Sequence, residues 1–450
     1  NDIEVDLKKT SLFSTTNLNG YINIKLNIKE LYKSFIEFMD NKPNCNKKDH
    51  ILLEYVSANP TGPLHIGHGR WAAIGDSLYR LLKATGYNVS SEFYINDAGN
   101  QIKIFNDSIE AKINNEAPPE NGYGGHFLDV LIENKTENET NIDYVINYQK
   151  QILKKMNCSF DKWFKETTLH EKNILEEIKQ EYKDYIYEQN NAIWFKTTKF
   201  NDEKQRVIQK ENGDLTYLAA DIVYHMNKIK RGYNNIINIW GADHHGYVER
   251  ISSVIKASGK TIKFNVILGQ LVHLYKNGEP VKMSKRTGEL IELAEVINEI
   301  GADATRFFLL EKKPEMHLDF DLAKAQEKNM DNPVFYIQYA HARICAIITK
   351  INDGNYQENN NLELNNKDRQ LMLYGSRYYD SLLEHAEKLE VHKVATYIYN
   401  LCKIFHSFYK DNKVIYDNQL HLKRKNILLV TKHIITHCLE ILGVSCPEKM

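Results

Sequence analysis

The run Ile51-Leu52-Leu53-Glu54-Tyr55-Val56, the break Asn59-Pro60-Thr61-Gly62-Pro63 and the stretch Leu64-His65-Ile66-Gly67-His68-Gly69 decide the fold. A short apolar run bounded by turn residues suits a buried strand. Over 65–85 the apolar residues Ile66, Ala73, Ile74, Leu78, Leu81 and Leu82 recur near the helical period, and Gly86 closes the segment. Residues 88–95 read as a second strand. Strand, turn, helix, strand is a βαβ unit, so a parallel sheet is expected. The alternation resumes downstream with a helix over 215–230, a strand over 236–240, a helix over 247–258 and a strand over 264–275.

Between these blocks, 113–205 is polar, rich in Asn, Lys and Glu, and reads as an insertion. From 331 strand signals nearly vanish, and long amphipathic helices such as 333–351 and 391–409 predict a helical bundle. The first 45 residues hold a strand-like run, Tyr21-Ile22-Asn23-Ile24-Lys25-Leu26, and an amphipathic segment over 30–39, with a polar linker after it. Three parts are therefore expected: 1–45, 46–330 and 331–450. The fold class is α/β, a Rossmann-like parallel sheet with insertions, followed by an all-α bundle.

The 450 residues are 42% hydrophobic and 26% charged, ordinary for a globular chain. A balance of 58 basic against 59 acidic residues excludes a uniformly basic nucleic-acid coat and an acidic disordered tail. It hides a local bias: 388–450 carries ten Lys/Arg against five Asp/Glu, or +5, with five His besides. No apolar stretch is long enough to span a membrane, and the start lacks a signal peptide's pattern. The chain opens on Asn1 rather than Met, so a fragment missing its natural beginning is expected. Cys45, Cys158, Cys345, Cys402, Cys438 and Cys446 form no CxxC pair, which predicts free thiols in a reducing cytoplasm rather than a zinc or redox site.

Two motifs carry chemistry. His65-Ile66-Gly67-His68 follows a strand and opens a helix, where free N–H groups and the positive dipole end suit anions. Its two imidazoles, three apart, are expected on one helical face as donors to phosphate oxygens, and Gly67 lets a flat group pack on the backbone. The same stretch also fits G-x-G-x-x-A, a dinucleotide fingerprint. That alternative puts its first Gly far from the strand end and places the bulky Arg70 and Trp71 where pyrophosphate would approach. The second motif, Lys282-Met283-Ser284-Lys285, makes a cationic clamp for a polyphosphate. Tyr217 and Asp221 lie one helical turn apart and point to one face. Alone, Asp221 also fits a helix-start charge and Tyr217 a core aromatic.

The ordered pair H-x-G-H then K-M-S-K resembles the signature of class I aminoacyl-tRNA synthetases. Longer stretches narrow the resemblance: Glu54-Tyr55-Val56-Ser57-Ala58-Asn59-Pro60, Tyr94-Ile95-Asn96-Asp97-Ala98-Gly99-Asn100-Gln101, Trp240-Gly241-Ala242-Asp243-His244-His245-Gly246-Tyr247 and Asn332-Pro333-Val334-Phe335-Tyr336-Ile337-Gln338-Tyr339 are similar to the bacterial arginyl-tRNA synthetase family. The resemblance implies ATP-dependent ligation of L-arginine to tRNA(Arg) through an arginyl-adenylate, with Mg²⁺ accompanying ATP and activation that depends on bound tRNA. It implies that Glu54, Asn59, Tyr217 and Asp221 hold arginine. His65, Gly67, His68, Gly241, Asp243, Met283, Ser284 and Lys285 would hold ATP, and His65, His68, Lys282 and Lys285 would act on the reacting phosphates. Asn96, Asp97 and Gln101 fall on the active-site rim. The helical part would read the anticodon with Tyr336, Tyr339, Tyr409 and Met450, helped by Arg343 and His406, and 1–45 would be the tail of an N-terminal tRNA-gripping domain. No metal site is expected within the protein itself, and a cytoplasmic monomer is expected.

Two rivals stand beside this. A class I synthetase for another amino acid is disfavoured by the polar set Glu54, Tyr217 and Asp221. A non-catalytic tRNA-binding paralogue is disfavoured by the presence of both histidines and both lysines.

Overall fold

The computed structural model of the chain describes residues 13–18, 21–40, 43–45, 47–169, 173–281 and 291–450. They fall into two compact units, Asn1–Cys45 with Glu327–Met450, and Asn46–Gln326.

The first unit opens with an antiparallel pair, β1 (Phe13–Leu18) and β2 (Tyr21–Leu26). Helix α1 (Ile28–Glu37) follows, capped by the Asn27 side chain, which accepts from the Lys29 amide at 3.0 Å. Its buried stripe is Leu31 and Phe35, four apart, which a lone helix could not hide.

The second unit is built on β3 (His50–Glu54), α2 (Ile66–Ala84) and β4 (Asn88–Ile95). Next come α3 (Asn100–Ile113), α4 (His126–Asn134), α5 (Asn141–Lys155), β5 (Lys162–Lys165) and α6 (Ile174–Glu181). An antiparallel trio follows, β6 (Ile186–Gln189), β7 (Ala192–Phe195) and β8 (Arg206–Gln209). The chain then runs through α7 (Tyr217–Lys230), β9 (Asn235–Gly241), α8 (His245–Ala257), β10 (Lys263–Gly269), α9 (Leu293–Ile300) and α10 (Ala302–Leu309). The central sheet has the order β10-β9-β3-β4-β5 and every pairing in it is parallel. Ile51, Leu52 and Leu53 of the middle strand are buried, as a strand covered on both faces requires. The chain leaves β3 toward β4 on one side and returns to β9 on the other, so a crevice forms at the carboxyl ends of β3 and β9.

The stretch expected as an insertion, 113–205, contributes a strand of this sheet. In β5, Lys162 sits opposite Glu92 and Trp163 opposite Phe93. Four residues with a Lys at each end give no apolar run, and an edge strand needs none. The rest of that stretch packs in two places. Helices α4 and α5 close a small core with α3 around Phe105, Phe127 and Leu131. The antiparallel trio shares a core with α7 and α8 through Phe195, Ile208 and Ile222. The single strand expected over 264–275 is two, β10 and Val272–Lys276, the latter in a separate small sheet.

Helix α2 is pinned along its length. A Cβ at Gly75 would fall inside the Tyr55 side chain, so the helix rests directly on the residue after β3. Arg306 of α10, fully buried, donates to Asp76 at 2.7 Å and to Ser77 at 3.0 Å. Arg70 donates to the carbonyls of Gln270 and Lys313.

The first unit resumes with α11 (Pro333–Asp353), α12 (Asn366–Gly375), α13 (Tyr378–Glu387), α14 (His392–Asp411) and α15 (Leu422–Leu442). It is not purely helical: Gln357–Asn359, Ile415–Tyr416 and Gln419–His421 pair as a small sheet. Arg369 of α12 donates to the Leu26 carbonyl at 2.6 Å, tying the N-terminal segment to this unit.

Candidate active site

Helix α2 begins at Ile66, so His65 is its cap rather than a residue on its face. His65 Nδ1 accepts from the Gly67 amide at 3.1 Å and the His68 amide at 3.4 Å. His68 Nδ1 accepts from the His65 amide at 3.3 Å. This reciprocal capping satisfies helix-end donors. It also fixes the tautomer: a nitrogen that accepts carries no proton, so both rings keep theirs on Nε2. Burial holds both rings neutral, pushing His65 down to about 4 and His68, beside it, well below the usual imidazole range. The site therefore offers two neutral Nε2–H donors where the helix dipole favours anions. Gly67 serves this cap: a Cβ there would lie 2.8 Å from His65 Cε1. Its backbone is covered by the imidazole and is not the open platform expected for a flat group.

Strand β3 ends in a strained turn. Val56 has φ 68° and Ser57 φ 43°, and the Ser57 amide donates to the Tyr55 carbonyl at 3.0 Å. A β-branched residue in this region is costly and persists where its surroundings over-determine it. Ser57 Oγ donates to Glu54 at 3.1 Å and accepts from the Tyr94 amide at 3.1 Å, which locks the turn onto β4.

At the crevice lies a cavity of about 600 Å³. Among its lining residues are Glu54, Asn59, His65, His68, Tyr217, Asp221, Gly241 and Asp243, all singled out from sequence. Tyr217, at the start of α7, is 70% exposed, not a core aromatic. The Asp221 carboxyl is raised to about 7 by burial first, then by the charges of Glu54 and Glu166, with Lys228 pulling the other way. A pocket that raises an empty carboxylate is poised for a cation. Gly241 closes β9, and the exposed Asp243 stands in the turn Ala242–His244 behind it.

Three roles emerge that the sequence did not show. Glu166 accepts from the Tyr94 hydroxyl at 2.8 Å and from the Asn96 amide at 2.9 Å, adding a third carboxylate near Asp221. Lys228, wholly buried, pairs with Glu54. Gln149 of α5 donates to the carbonyls of Asn59 and Gly62, holding the loop before the histidines. Of the expected rim residues, Asn96 and Gln101 line the cavity, and Gln101 accepts from Asn59 at 2.8 Å. Asp97 instead accepts from the backbone and hydroxyl of Thr167, a turn-fixing role.

Lys282, Met283, Ser284 and Lys285 lie outside the described residues. Their downstream flank is anchored at the histidines: the Ile66 amide donates to Ile291 and the Leu293 amide to Leu64, at 3.2 and 2.7 Å.

With this geometry in hand, comparison with known proteins is specific. Residues 34–124 match the family described as tRNA synthetases class I (R), catalytic domain, and 337–450 match the DALR anticodon binding domain. The chain is 40% identical to the arginine–tRNA ligase of Desulfitobacterium hafniense, over 96% of this chain and 84% of that protein. It is 37% identical to the Bacillus subtilis arginine–tRNA ligase over the same shares. The chain belongs to the arginine–tRNA ligase family. A Campylobacter jejuni crystal structure provisionally described as an arginyl-tRNA synthetase matches this family member with a TM-score of 0.82 at 35% identity, covering 94% of this chain and all of that one. The Thermus thermophilus arginyl-tRNA synthetase shares the fold, with a TM-score of 0.79 at 18% identity, covering all of this chain and 91% of that one.

In this arginine–tRNA ligase family member, the DALR match falls on the helical unit. There the Arg343 guanidinium sits between two rings, 5.0 Å from Tyr339 and 4.3 Å from Tyr409. Tyr339, Arg343, Tyr409 and Met450 line one cavity of about 540 Å³. Tyr336 lies outside it and packs on His406 with ring centroids 4.4 Å apart. The last residues are strapped to α11, where Gln338 donates to Ser445 and the ring of His341 to the Pro447 carbonyl.

Proposed function

We infer that the protein activates L-arginine with ATP and transfers it to the 3′ end of tRNA(Arg), releasing AMP and pyrophosphate. The observation that carries this reading is the meeting, in one crevice, of two neutral Nε2–H donors with the carboxylates of Asp221 and Glu54. The arginine carboxylate attacks the ATP α-phosphorus, and the developing charge is met by His65 and His68. A guanidinium suits carboxylates because it offers several donors in one plane, which a lysine ammonium cannot. Asn59 and Glu54 take the amino-acid end, Tyr217 covers the side chain, and Gly241 and Asp243 take the nucleotide. Lys282 and Lys285, with Met283 and Ser284 between them, meet the leaving pyrophosphate. Mg²⁺ travels with the triphosphate as part of the substrate. Among the described residues, no group of three His, Cys, Asp or Glu is placed to cage a metal.

The helical unit, in this reading, holds the anticodon by stacking unpaired bases on Tyr336, Tyr339 and Tyr409 near Met450. A cytoplasmic location goes with it, supported by six free cysteines, and a monomer is part of the same proposal. No described helix is long and apolar enough to cross a membrane. The test is charging of total tRNA with each of the twenty amino acids. Arginine alone should be esterified, and pyrophosphate exchange should require tRNA. Charging with another amino acid at a comparable rate would overturn the reading.

A further inference from the structure

We propose that Lys228 is a positioning residue for the arginine site, acting on the substrate through Glu54. This rests on the placement of Glu54 in the arginine pocket given above.

Lys228 is 0% exposed, on the helix that also carries Tyr217 and Asp221. Its three N–H donors all have assigned targets. One meets Glu54 Oε2 of β3, one meets Asn238 Oδ1 of β9 at 3.1 Å, and the ammonium stands 4.3 Å from the Tyr224 ring centroid. The Asn238 end of this chain has only one consistent orientation. A backbone carbonyl can only accept, so His225 Nδ1, 2.8 Å from the Asp221 carbonyl, carries the proton. His225 Nε2 then accepts from Asn238 Nδ2 at 3.3 Å, which turns Asn238 Oδ1 toward Lys228. One hydrogen-bonded path thus runs from the backbone of Asp221 to the carboxylate of Glu54, with Lys228 as the joint.

A brace between β3, β9 and α7 does not need a charge, because well-packed apolar side chains serve as well or better in a protein interior. The ammonium is explained by what it faces. Glu54 and Asp221 line one cavity, with Glu166 acting on Asp221 from beside it, and Lys228 is the fixed counter-charge on its buried side. It orients Glu54 so that Oε1, held by Ser57, and the remaining lone pairs face the cavity. It also offsets the Glu54 charge, leaving Asp221 as the carboxylate of the cavity for a single guanidinium to meet.

The test compares Glu54→Gln, Lys228→Met and the double variant in the charging reaction, reading KM for arginine, KM for ATP and the thermal midpoint. If Lys228 acts through Glu54, each single change raises the arginine KM about tenfold and the double change raises it no further. The ATP KM stays within about twofold. Each single change leaves a buried charge alone and lowers the midpoint, and the double change recovers it without recovering the arginine KM. Should Lys228→Met not fold, the double variant carries the comparison with Glu54→Gln. A wild-type arginine KM in Lys228→Met, or losses that multiply in the double variant, would assign Lys228 to bracing alone. A wild-type arginine KM in Glu54→Gln would remove Glu54 from the arginine pocket and overturn the proposal on that separate ground.

Discussion

His65 and His68 stack with ring centroids 3.6 Å apart while each accepts a backbone N–H of the other's residue at Nδ1. The capping nitrogen and the nitrogen proposed to meet the phosphates are therefore different atoms of one ring. His65→Asn keeps an acceptor for the helix end and loses Nε2–H. Folding stability should change by less than about 1 kcal/mol, since Asn is a favoured cap. Pyrophosphate exchange should fall about 10²-fold, the scale for one lost donor to a developing anion. Undiminished exchange in a folded variant would take His65 out of the chemistry.

The same burial couples these rings to acid stability. Both fold with pKa values below 6.5, so the unfolded chain binds more protons in the window from about 6.5 down to 4. Their contribution is present above that window and lost as pH falls through it. A melting series should show the wild type losing more stability than His65→Asn between pH 6.5 and 4.5. Parallel curves would contradict the depressed values.

Asp221 runs the other way. Its carboxyl sits at about 7 in the open pocket, and a guanidinium would pull it down. Arginine affinity should climb with pH up to about 7 and level off above it. Calorimetry at pH 6.5 in two buffers of different ionisation enthalpy should report proton release on arginine binding. Because the raised group's contribution is fully present only below its unfolded value of 3.8 and is lost as pH rises to about 7, Asp221→Asn should melt higher than wild type at pH 8 while its arginine KM rises at least tenfold. Binding without proton release would mean that Asp221 is already ionised or does not meet the substrate.

In the helical unit, Arg343→Ala removes the guanidinium packed between Tyr339 and Tyr409. The KM for tRNA should rise by about tenfold, the worth of one base stack or cation–π contact. The KM values for arginine and ATP should hold. Filter binding of labelled tRNA reads this directly, and unchanged affinity would place the anticodon elsewhere.

Arg306 is a stability element without a part in the chemistry. Arg306→Met strands Asp76 beside Arg80 alone and should cost about 3–5 kcal/mol in denaturant unfolding. The folded fraction should keep its arginine KM. A loss below about 1 kcal/mol would show that Arg80 compensates in full.

What the sequence showed and what it hid follow one rule. The strand, turn and helix around His65 were legible because their residues are neighbours in the chain. So was the shared face of Tyr217 and Asp221, one helical turn apart. The partners of those residues were not. Lys228 reaches Glu54 across 174 positions and Arg231 reaches Glu92 across 139, and no local pattern announces either pair. Glu166 sits in a polar stretch where a carboxylate looks like any solvated charge. Asp97 accepts from Thr167 across 70 positions, which its local sequence does not announce either. Strand β5 escaped because an edge strand with two lysines lacks the alternation that marks a half-buried one.

Position 75 shows how far the reacting end depends on something missing. The hydrogen side chain of Gly75 lets a helix lie flush on Tyr55, about 10–15 Å along the axis from the imidazoles at 1.5 Å per residue. A single methyl group there would act as a wedge under a lever, and the displacement would be read out at the imidazoles. Alignment of the two Nε2 atoms with the sheet's open end is thus set partly by empty space far from any reacting atom.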